Sequence, residues 1–318
     1  MRHCPLCGKV SSILCTKKHH NYDILYCSDC QFQFCDPMED LGGGFYQQCS
    51  LYENRSQDTL LLVPSYDWRF QTFHKMHVSR PDQSLLDIGC GDGGFMALAQ
   101  TKGVNVFGID IDRRATRLAK QVRNLEHVVT GRWEKLQSIE SWKDFDMVTL
   151  FDVLEHVSSP VSLAATVFEL LKPGGYICCT VPRLDRSPKI FDIESDYPPH
   201  HLTQWTPHAL GLLLEKIGFI EIRITKKPLM IQELGLHLIW RARRSIRKIR
   251  RNEDQAECSG RAKSEPMFVK LGFVTKLAKT PIRFTLIGVN RFLRALYPRG
   301  GFTLLAMAEK PKPQVGGV

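Results

Sequence analysis

The hydrophobic pattern from residue 84 onward alternates between short apolar runs and longer segments with helical periodicity. The short runs, bounded by turn-forming residues, predict buried strands. They are SLLDIG (84–89), VNVFGID (104–110), EHVVT (126–130), FDMVTLF (145–151), YICCTV (176–181), FIEIRI (219–224) and GFTLLAMAEK (301–310). The segments between them predict helices. These are GFMALAQTKG (94–103), RRATRLAKQV (113–122), PVSLAATVFELLKPGG (160–175) and TPHALGLLLEKIG (206–218).

This alternation predicts an α/β fold with a mostly parallel seven-stranded sheet covered by helices on both faces. The pattern also divides the chain of 318 residues into four parts. A cysteine-rich module covers 1–50, and the α/β core covers 51–230, with helical periodicity over 52–80. An insertion at 231–300 separates the core from its last strand, which lies in 301–318.

The positive charge of the chain is concentrated in this insertion. The formal net charge is +10, and residues 236–300 carry sixteen Lys and Arg against four acids, leaving −2 for the remainder (10 − 12). Apolar positions at helical spacing alternate there with the basic ones, which predicts basic amphipathic helices. Such helices suit an anionic membrane surface; nucleic acid, or a solvated lid over the active site, are the alternatives.

Two closely spaced cysteine pairs near the start of the chain predict a structural zinc site. Seven of the eleven cysteines lie in the first 49 residues, and MRHCPLCGKV shows no secretory signal, which favours reduced thiols in the cytoplasm. Two Cys-x2-Cys pairs separated by nineteen residues fit a closed four-thiolate zinc site. The predicted ligands are Cys4, Cys7, Cys27 and Cys30. Alternative ligands are Cys15, Cys35, His19 and His20; free thiols are the other alternative.

A glycine-rich turn with a carboxylate in front of it marks the predicted ligand site. Ligands of an open parallel sheet bind beyond the carboxyl ends of its strands, and glycines after the first strand allow close approach of the backbone. The spacing of Gly89, Gly91 and Gly94, followed by Asp110, also fits a dinucleotide fingerprint. Asp87, however, would repel a pyrophosphate and favours a cationic ligand.

The motif LLDIGCGDGGF (85–95) closely resembles the first motif of class I S-adenosylmethionine-dependent methyltransferases. FDMVTLFDVLEHVSSP (145–160) and DYPPHHLTQWTPHALGLLLEKIGF (196–219) are similar to later segments of that family. The resemblance implies a Rossmann-like fold, S-adenosylmethionine as cofactor, and a set of cofactor contacts. That set is Asp87, Gly89, Cys90, Gly91, Gly93, Asp110, Ile111, Trp133 and Phe151.

Arg132 departs from the family pattern, which places an acid there to contact the adenine amine. A guanidinium cannot accept that hydrogen bond, so we expect backbone and stacking on Trp133 to hold the adenine. For the base near the transferred methyl group we expect His156, then His200 and His201, with Glu155 beside them.

The order of two cysteine pairs, FCDP, LGGGFY and a methyltransferase core is similar to bacterial enzymes that methylate sugars and glycan precursors. The resemblance implies a small hydroxylated acceptor, a sugar or a lipid-linked glycan intermediate. The alternatives are an rRNA base methyltransferase, a nicotinamide-dependent dehydrogenase and a non-catalytic scaffold. No apolar run is long enough to span a membrane, so the expected location is the cytoplasm, with peripheral contact at the inner face of the membrane through 236–300.

Overall fold

Eleven strands and five α-helices are formed by the residues that this computed structural model describes, which are 2–39, 42, 67–76, 81–186, 196–227 and 301–313. The strands are β1 (Ile13–His19), β2 (Tyr22–Cys27), β3 (Phe32–Asp36), β4 (Ser84–Ile88), β5 (Asn105–Asp110), β6 (Val128–Thr130), β7 (Phe145–Phe151), β8 (Leu171–Pro182), β9 (Thr203–Gln204), β10 (Ile220–Lys226) and β11 (Thr303–Glu309). The helices are α1 (Trp68–Met76), α2 (Gly94–Gln100), α3 (Arg113–Arg123), α4 (Pro160–Leu170) and α5 (Pro207–Ile217). A 3₁₀ helix covers Trp133–Ser138.

Seven of these strands form the predicted sheet, in the order β10-β11-β8-β7-β4-β5-β6. All neighbouring strands are parallel except β11, which is antiparallel to both β8 and β10. The mostly parallel sheet predicted from the sequence is therefore confirmed. The chain runs outward from β4 to β5 and β6, then returns to β7 on the other side of β4. This reversal is the topological switch point, where such sheets bind ligands.

Local sequence signals set most helix ends close to the predicted positions, but the helix predicted over 160–175 ends at Leu170, because residues 171–175 belong to β8. The Asp112 side chain accepts a hydrogen bond from the Arg114 backbone N–H at the start of α3, and Thr206 accepts one from Ala209 at the start of α5. Gly218 ends α5 in the left-handed region, with φ 106°. The first core helix ends at Gln100, three residues before the predicted end at Gly103, and the residues between form a turn.

The cysteine-rich module contains a small antiparallel sheet that the sequence pattern did not reveal. Strands β1, β2 and β3 pair in order, and β3 pairs in turn with β9, which belongs to the segment just before α5. The rings of Phe32 and Trp205, both fully buried, pack with centroids 4.6 Å apart. The module thus shares a sheet and a hydrophobic core with the α/β core of the chain.

The chain divides into two compact units. The first comprises 1–186, 192–226 and 302–318, and it holds both sheets; the second comprises 187–191 and 227–301. The basic insertion predicted at 231–300 lies outside the described residues, as do most of 52–80 and the predicted boundaries near 50 and 230. In the part of the chain that is described, no helix is long and apolar enough to cross a bilayer.

Candidate functional site

A cavity of about 700 Å³ opens at the carboxyl ends of β4, β5 and β7, a volume typical of small-molecule sites. It lies at the switch point of the sheet. Eight of the nine residues expected to contact the cofactor line it: Asp87, Gly89, Cys90, Gly91, Asp110, Ile111, Trp133 and Phe151. The sequence-based expectation that these residues converge on one site agrees with the geometry.

The exception is Gly93, whose place in the cavity wall is taken by Gly94. Gly93 has φ 75° and faces the interior, where an added Cβ would lie 2.3 Å from Leu125 Cδ1. Only glycine fits at this position, because the left-handed φ and the clash with the segment after α3 both exclude a side chain. The structure therefore places Gly93 in the packing of the turn and not in the cavity wall.

Gly89, in contrast, allows the backbone of the turn to lie close to the cavity. It has φ 76°, and a Cβ there would lie 2.5 Å from Val153 Cγ2, a cavity-lining residue after β7. The next glycine, Gly91, donates its backbone N–H to Asp110 Oδ2 at 2.8 Å. The turn after β4 and the end of β5 are thereby joined into one rigid rim.

Asp87 is buried at the end of β4, with 3% of its surface exposed. The Thr149 hydroxyl donates to Asp87 Oδ1 at 2.7 Å. Burial raises the pKa of Asp87 to about 7, although the Thr149 hydrogen bond and the Arg69 charge act to lower it. A buried carboxyl that is this costly to ionise is suited to a cationic partner, which would restore its charged form.

Asp110 at the end of β5 is held by two backbone groups. Its Oδ2 accepts the Gly91 N–H and its Oδ1 accepts the Asp112 N–H, both at 2.8 Å. Burial raises its pKa, against the effect of these two hydrogen bonds. Each carboxylate oxygen has a second lone pair, so the fixed group can still accept two hydroxyls of a ribose.

Arg69 is a site residue that the sequence analysis missed. It lies in α1 and lines the cavity; its guanidinium contacts Asp67 Oδ2 at 2.7 Å and Asp152 Oδ2 at 2.5 Å. A guanidinium at the cavity wall is the group best suited to bind a ligand carboxylate bidentately. The sequence signal that could have identified Arg69 is DWRF, where an arginine follows an acid at the start of a helix that precedes the first core strand.

Arg132 and Trp133 both line the opposite side of the cavity. Arg132 donates to Glu134 Oε1 at 3.0 Å, and both side chains are exposed. The guanidinium is thus paired with an acid two residues further along the chain. Trp133 is partly buried against the core, which leaves ring surface at the cavity for the stacking role expected of it.

The predicted histidines do come together. The ring centroids of His156, His200 and His201 lie 4.8–4.9 Å apart. His156 and His200 line the cavity, whereas His201 lines a much smaller pocket behind it, next to Asp196. Burial lowers the pKa of all three, to about 4 for His156 and about 2 for His201. His156 and His201 are therefore neutral at pH 7.

Glu155 does not line the cavity, but its carboxyl lies beside His156, with Oε1 4.0 Å from Nε2. It is 1% exposed, and burial raises its pKa well above the usual range. Its backbone carbonyl accepts hydrogen bonds from the N–H groups of Leu202 at 2.7 Å and Thr203 at 3.3 Å. Among the residues described, Glu155 Oε2 has no hydrogen-bond partner. Glu155 therefore stands beside His156 without lining the cavity, and its backbone joins the segment after β7 to the segment that carries the other histidines.

The four predicted zinc ligands form one cluster in the cysteine-rich module. Cys4 and Cys30 have their sulfurs 3.9 Å apart, those of Cys7 and Cys27 are 3.8 Å apart, and all four lie within 4.8 Å. Sulfurs placed tetrahedrally around zinc at ~2.3 Å are about 3.8 Å apart, so the cluster fits this ion. Cys15 is exposed and Cys35 donates to the Pro37 carbonyl, outside the cluster.

Comparison with known proteins agrees with this architecture. The family model described as a methyltransferase domain matches residues 68–222. This range begins at α1 and ends within β10, so it contains the switch point and all three histidines. Residues 68–222 therefore match a methyltransferase domain, as the sequence analysis predicted.

Two curated relatives are both named ubiquinone biosynthesis O-methyltransferase. That of Albidiferax ferrireducens is 37% identical over 115 residues, 34% of this chain and 44% of that protein. That of Dechloromonas aromatica is 26% identical over 196 residues, 53% of this chain and 82% of that protein. The chain thus spans less than half the length of the first relative. A solved S-adenosylmethionine-dependent methyltransferase of Archaeoglobus fulgidus, 19% identical, has a TM-score of 0.49, covering 80% of this chain and 95% of its own.

Proposed function

We propose that this protein transfers a methyl group from S-adenosylmethionine to a hydroxyl group of a small acceptor. The main support for this proposal is the buried carboxyl of Asp87, which precedes the glycine turn and lines a cavity together with Asp110 and two histidines. In the transfer, a bond forms between the acceptor oxygen and the methyl carbon while the carbon–sulfur bond breaks. The sulfonium becomes a neutral thioether, and the hydroxyl proton leaves to a base.

The cavity residues divide between the two ends of the cofactor. Asp87 is suited to the ammonium group, Arg69 to the carboxylate, and Asp110 to both ribose hydroxyls. Trp133 supplies the stacking surface for the adenine. This leaves the side of the cavity with His156 and His200 for the acceptor, in line with the departing sulfur, where positioning contributes much of the rate.

His156 is the proposed base. Its Nδ1 lies 2.7 Å from the His200 carbonyl oxygen, and because a carbonyl can only accept, Nδ1 must carry the proton. The lone pair is therefore on Nε2. An imidazole held in one tautomer by a backbone carbonyl is positioned for proton transfer without further reorganisation.

Two classes of acceptor have support. The relatives are named for ubiquinone biosynthesis, which favours the ring hydroxyl of a quinone precursor. The cysteine-rich module in front of the methyltransferase domain favours a sugar or a lipid-linked glycan, as in the enzymes whose order of motifs this chain resembles. Incubating the protein and methyl-labelled S-adenosylmethionine with fractionated cell extract tests the proposal. Label in the quinone, glycolipid or sugar-nucleotide fraction supports it; label in RNA alone, or in no fraction, contradicts it.

The affinity for S-adenosylmethionine is expected to fall as the pH is lowered through 7. Protonated Asp87 cannot pair with the ammonium group, so with a pKa of about 7 the dissociation constant should rise roughly eightfold from pH 7.5 to pH 6.0. Isothermal titration across this range measures the effect. The control is Thr149→Val, which removes the hydroxyl that lowers the pKa of Asp87 and should move the transition to higher pH; identical profiles would contradict the assignment.

A further inference from the structure

The three histidines form a second potential metal cluster, separate from the four cysteines. One ring nitrogen from each of His156, His200 and His201 lies within 4.8 Å of the others. In the described ranges, this trio and the cysteine cluster are the two groups of metal-ligating side chains that come this close together. The trio is assembled from two places in the chain, the end of β7 and the segment before β9, which the hydrogen bonds to the Glu155 carbonyl join.

Groups around the cluster are arranged as they are around histidines that bind metals, which donate their second N–H to a carbonyl or carboxylate. His156 donates from Nδ1 to the His200 carbonyl at 2.7 Å. For His201, the carboxylate of Asp196 lies 3.8 Å from Nδ1 and is itself held by Arg186. Nδ1 of His201 is buried and has no hydrogen-bond partner within the described part of the chain, so Asp196 is the carboxylate within its reach when Nε2 binds a metal.

We propose that His156, His200 and His201 bind one divalent transition-metal ion of the zinc, cobalt or nickel type. Imidazole nitrogens suit these ions, and three histidines with one open position form a known class of catalytic site. Nitrogens around such an ion lie about 3.4 Å apart, so small ring rotations would close the trio around it. Because His156 and His200 line the cavity, the open position faces the space where the acceptor would lie.

The part that this ion plays in catalysis rests on the proposed function, whereas its binding does not. An acceptor hydroxyl bound at the open position would lose its proton to solvent more readily, because the positive ion stabilises the oxyanion. Methyl transfer to that oxygen would then form the oxygen–carbon bond as the carbon–sulfur bond breaks. With the ion bound, His156 would act as a ligand instead of as the base, and the hydroxyl proton would leave to solvent before the methyl group arrives.

Cobalt titration of the full chain, with zinc already bound by the cysteine cluster, tests the inference. We expect one Co²⁺ per chain, with absorption bands of nitrogen and oxygen ligation and no thiolate charge-transfer band. His200→Ala and His201→Ala should each weaken Co²⁺ binding by at least the roughly 10- to 100-fold that loss of a supporting group costs. The matched control is His208→Gln, because His208 is exposed at the start of α5, and it should bind Co²⁺ as the wild type does.

Two results would overturn the inference. One is a wild-type protein that binds no ion beyond the cysteine-bound zinc, which does not depend on the folding of any variant. The other is Co²⁺ binding of wild-type strength by both alanine variants, since the ion would then lie elsewhere. Binding of S-adenosylmethionine to each variant serves as the folding control. Bound Co²⁺ without methyl transfer to any fraction would count against the proposed function and leave the metal site intact.

Discussion

Replacing Asp87 with asparagine is expected to weaken S-adenosylmethionine binding by at least about a hundredfold and to stabilise the ligand-free protein at pH 8. Asparagine keeps the shape and can still accept the hydrogen bond that Thr149 donates. It cannot, however, pair with the ammonium group of the donor as a charged partner. Isothermal titration measures the first effect and thermal unfolding the second.

The gain in stability follows from the direction of the pKa shift. In the unfolded chain the carboxyl of Asp87 ionises near 3.8, whereas in the folded protein burial raises its pKa to about 7. Between these values the folded state binds a proton that the unfolded state does not, so stability falls as the pH rises. Above pH 7 the charged form costs up to about 4 kcal/mol. The variant should therefore unfold at a higher temperature than the wild type at pH 8, and not at pH 4.

Binding of methylthioadenosine distinguishes the role of Asp87 from that of Asp110. This ligand has the adenosine but lacks the amino acid part of the cofactor. Asp87→Asn should leave its binding unchanged, whereas Asp110→Asn should weaken both ligands because the ribose is common to them. A loss of methylthioadenosine binding in Asp87→Asn would show that Asp87 acts on the general structure of the site. The assignment of Asp87 to the ammonium group would then fail.

The second large effect is expected from the cysteine cluster. Cys27→Ser should lose the zinc and lower methyl transfer by at least about tenfold, while the affinity for S-adenosylmethionine changes little. Mass spectrometry gives the zinc content, and transfer and binding are measured on the same preparation. Cys15→Ser is the matched control, because Cys15 is exposed and lies outside the cluster. Zinc loss with unchanged turnover would contradict this expectation. So would a Cys15→Ser variant that loses zinc and activity as Cys27→Ser does.

The reason is the path from the cysteine cluster to the histidines. Cys27 ends β2 and Cys30 precedes β3, and β3 pairs with β9, two residues after His201. The Thr206 hydroxyl donates to the Gln31 carbonyl at 2.9 Å, one residue after Cys30. If the module unfolds without zinc, the segment that carries the acceptor-side histidines therefore loses the strand against which it pairs. The carboxylates for the cofactor lie on β4 and β5, away from this contact.

The sequence predicted the core sheet because each of its strands is an apolar run of sufficient length, bounded by turns. Asp87 could be recognised because a charge within such a run is costly unless it has a function. The sequence also predicted that Asp87 and Asp110 lie at the same edge of the sheet, because they stand at the carboxyl ends of neighbouring parallel strands. These features depend on local pattern and on the general geometry of open sheets.

Other features depend on contacts between distant residues. Strand β9 is two residues long and exists because it pairs with β3, some 170 residues earlier, so no local pattern announces it. Gly93 and Gly94 are indistinguishable in sequence, and only the position of Leu125 shows that the first faces the interior. Arg69 joins the site because α1 lies beside Asp152. The position of Glu155 likewise depends on a distant contact, the hydrogen bond that its backbone carbonyl accepts from Leu202.

A crystal structure of the protein with S-adenosylmethionine tests the central claim most directly. The account predicts that the amino group of the ligand lies within hydrogen-bond distance of Asp87, and that both ribose hydroxyls contact Asp110. An empty cavity in crystals soaked with this ligand, or an anionic phosphate group lodged beside Asp87 in crystals soaked with a nicotinamide dinucleotide, would contradict it.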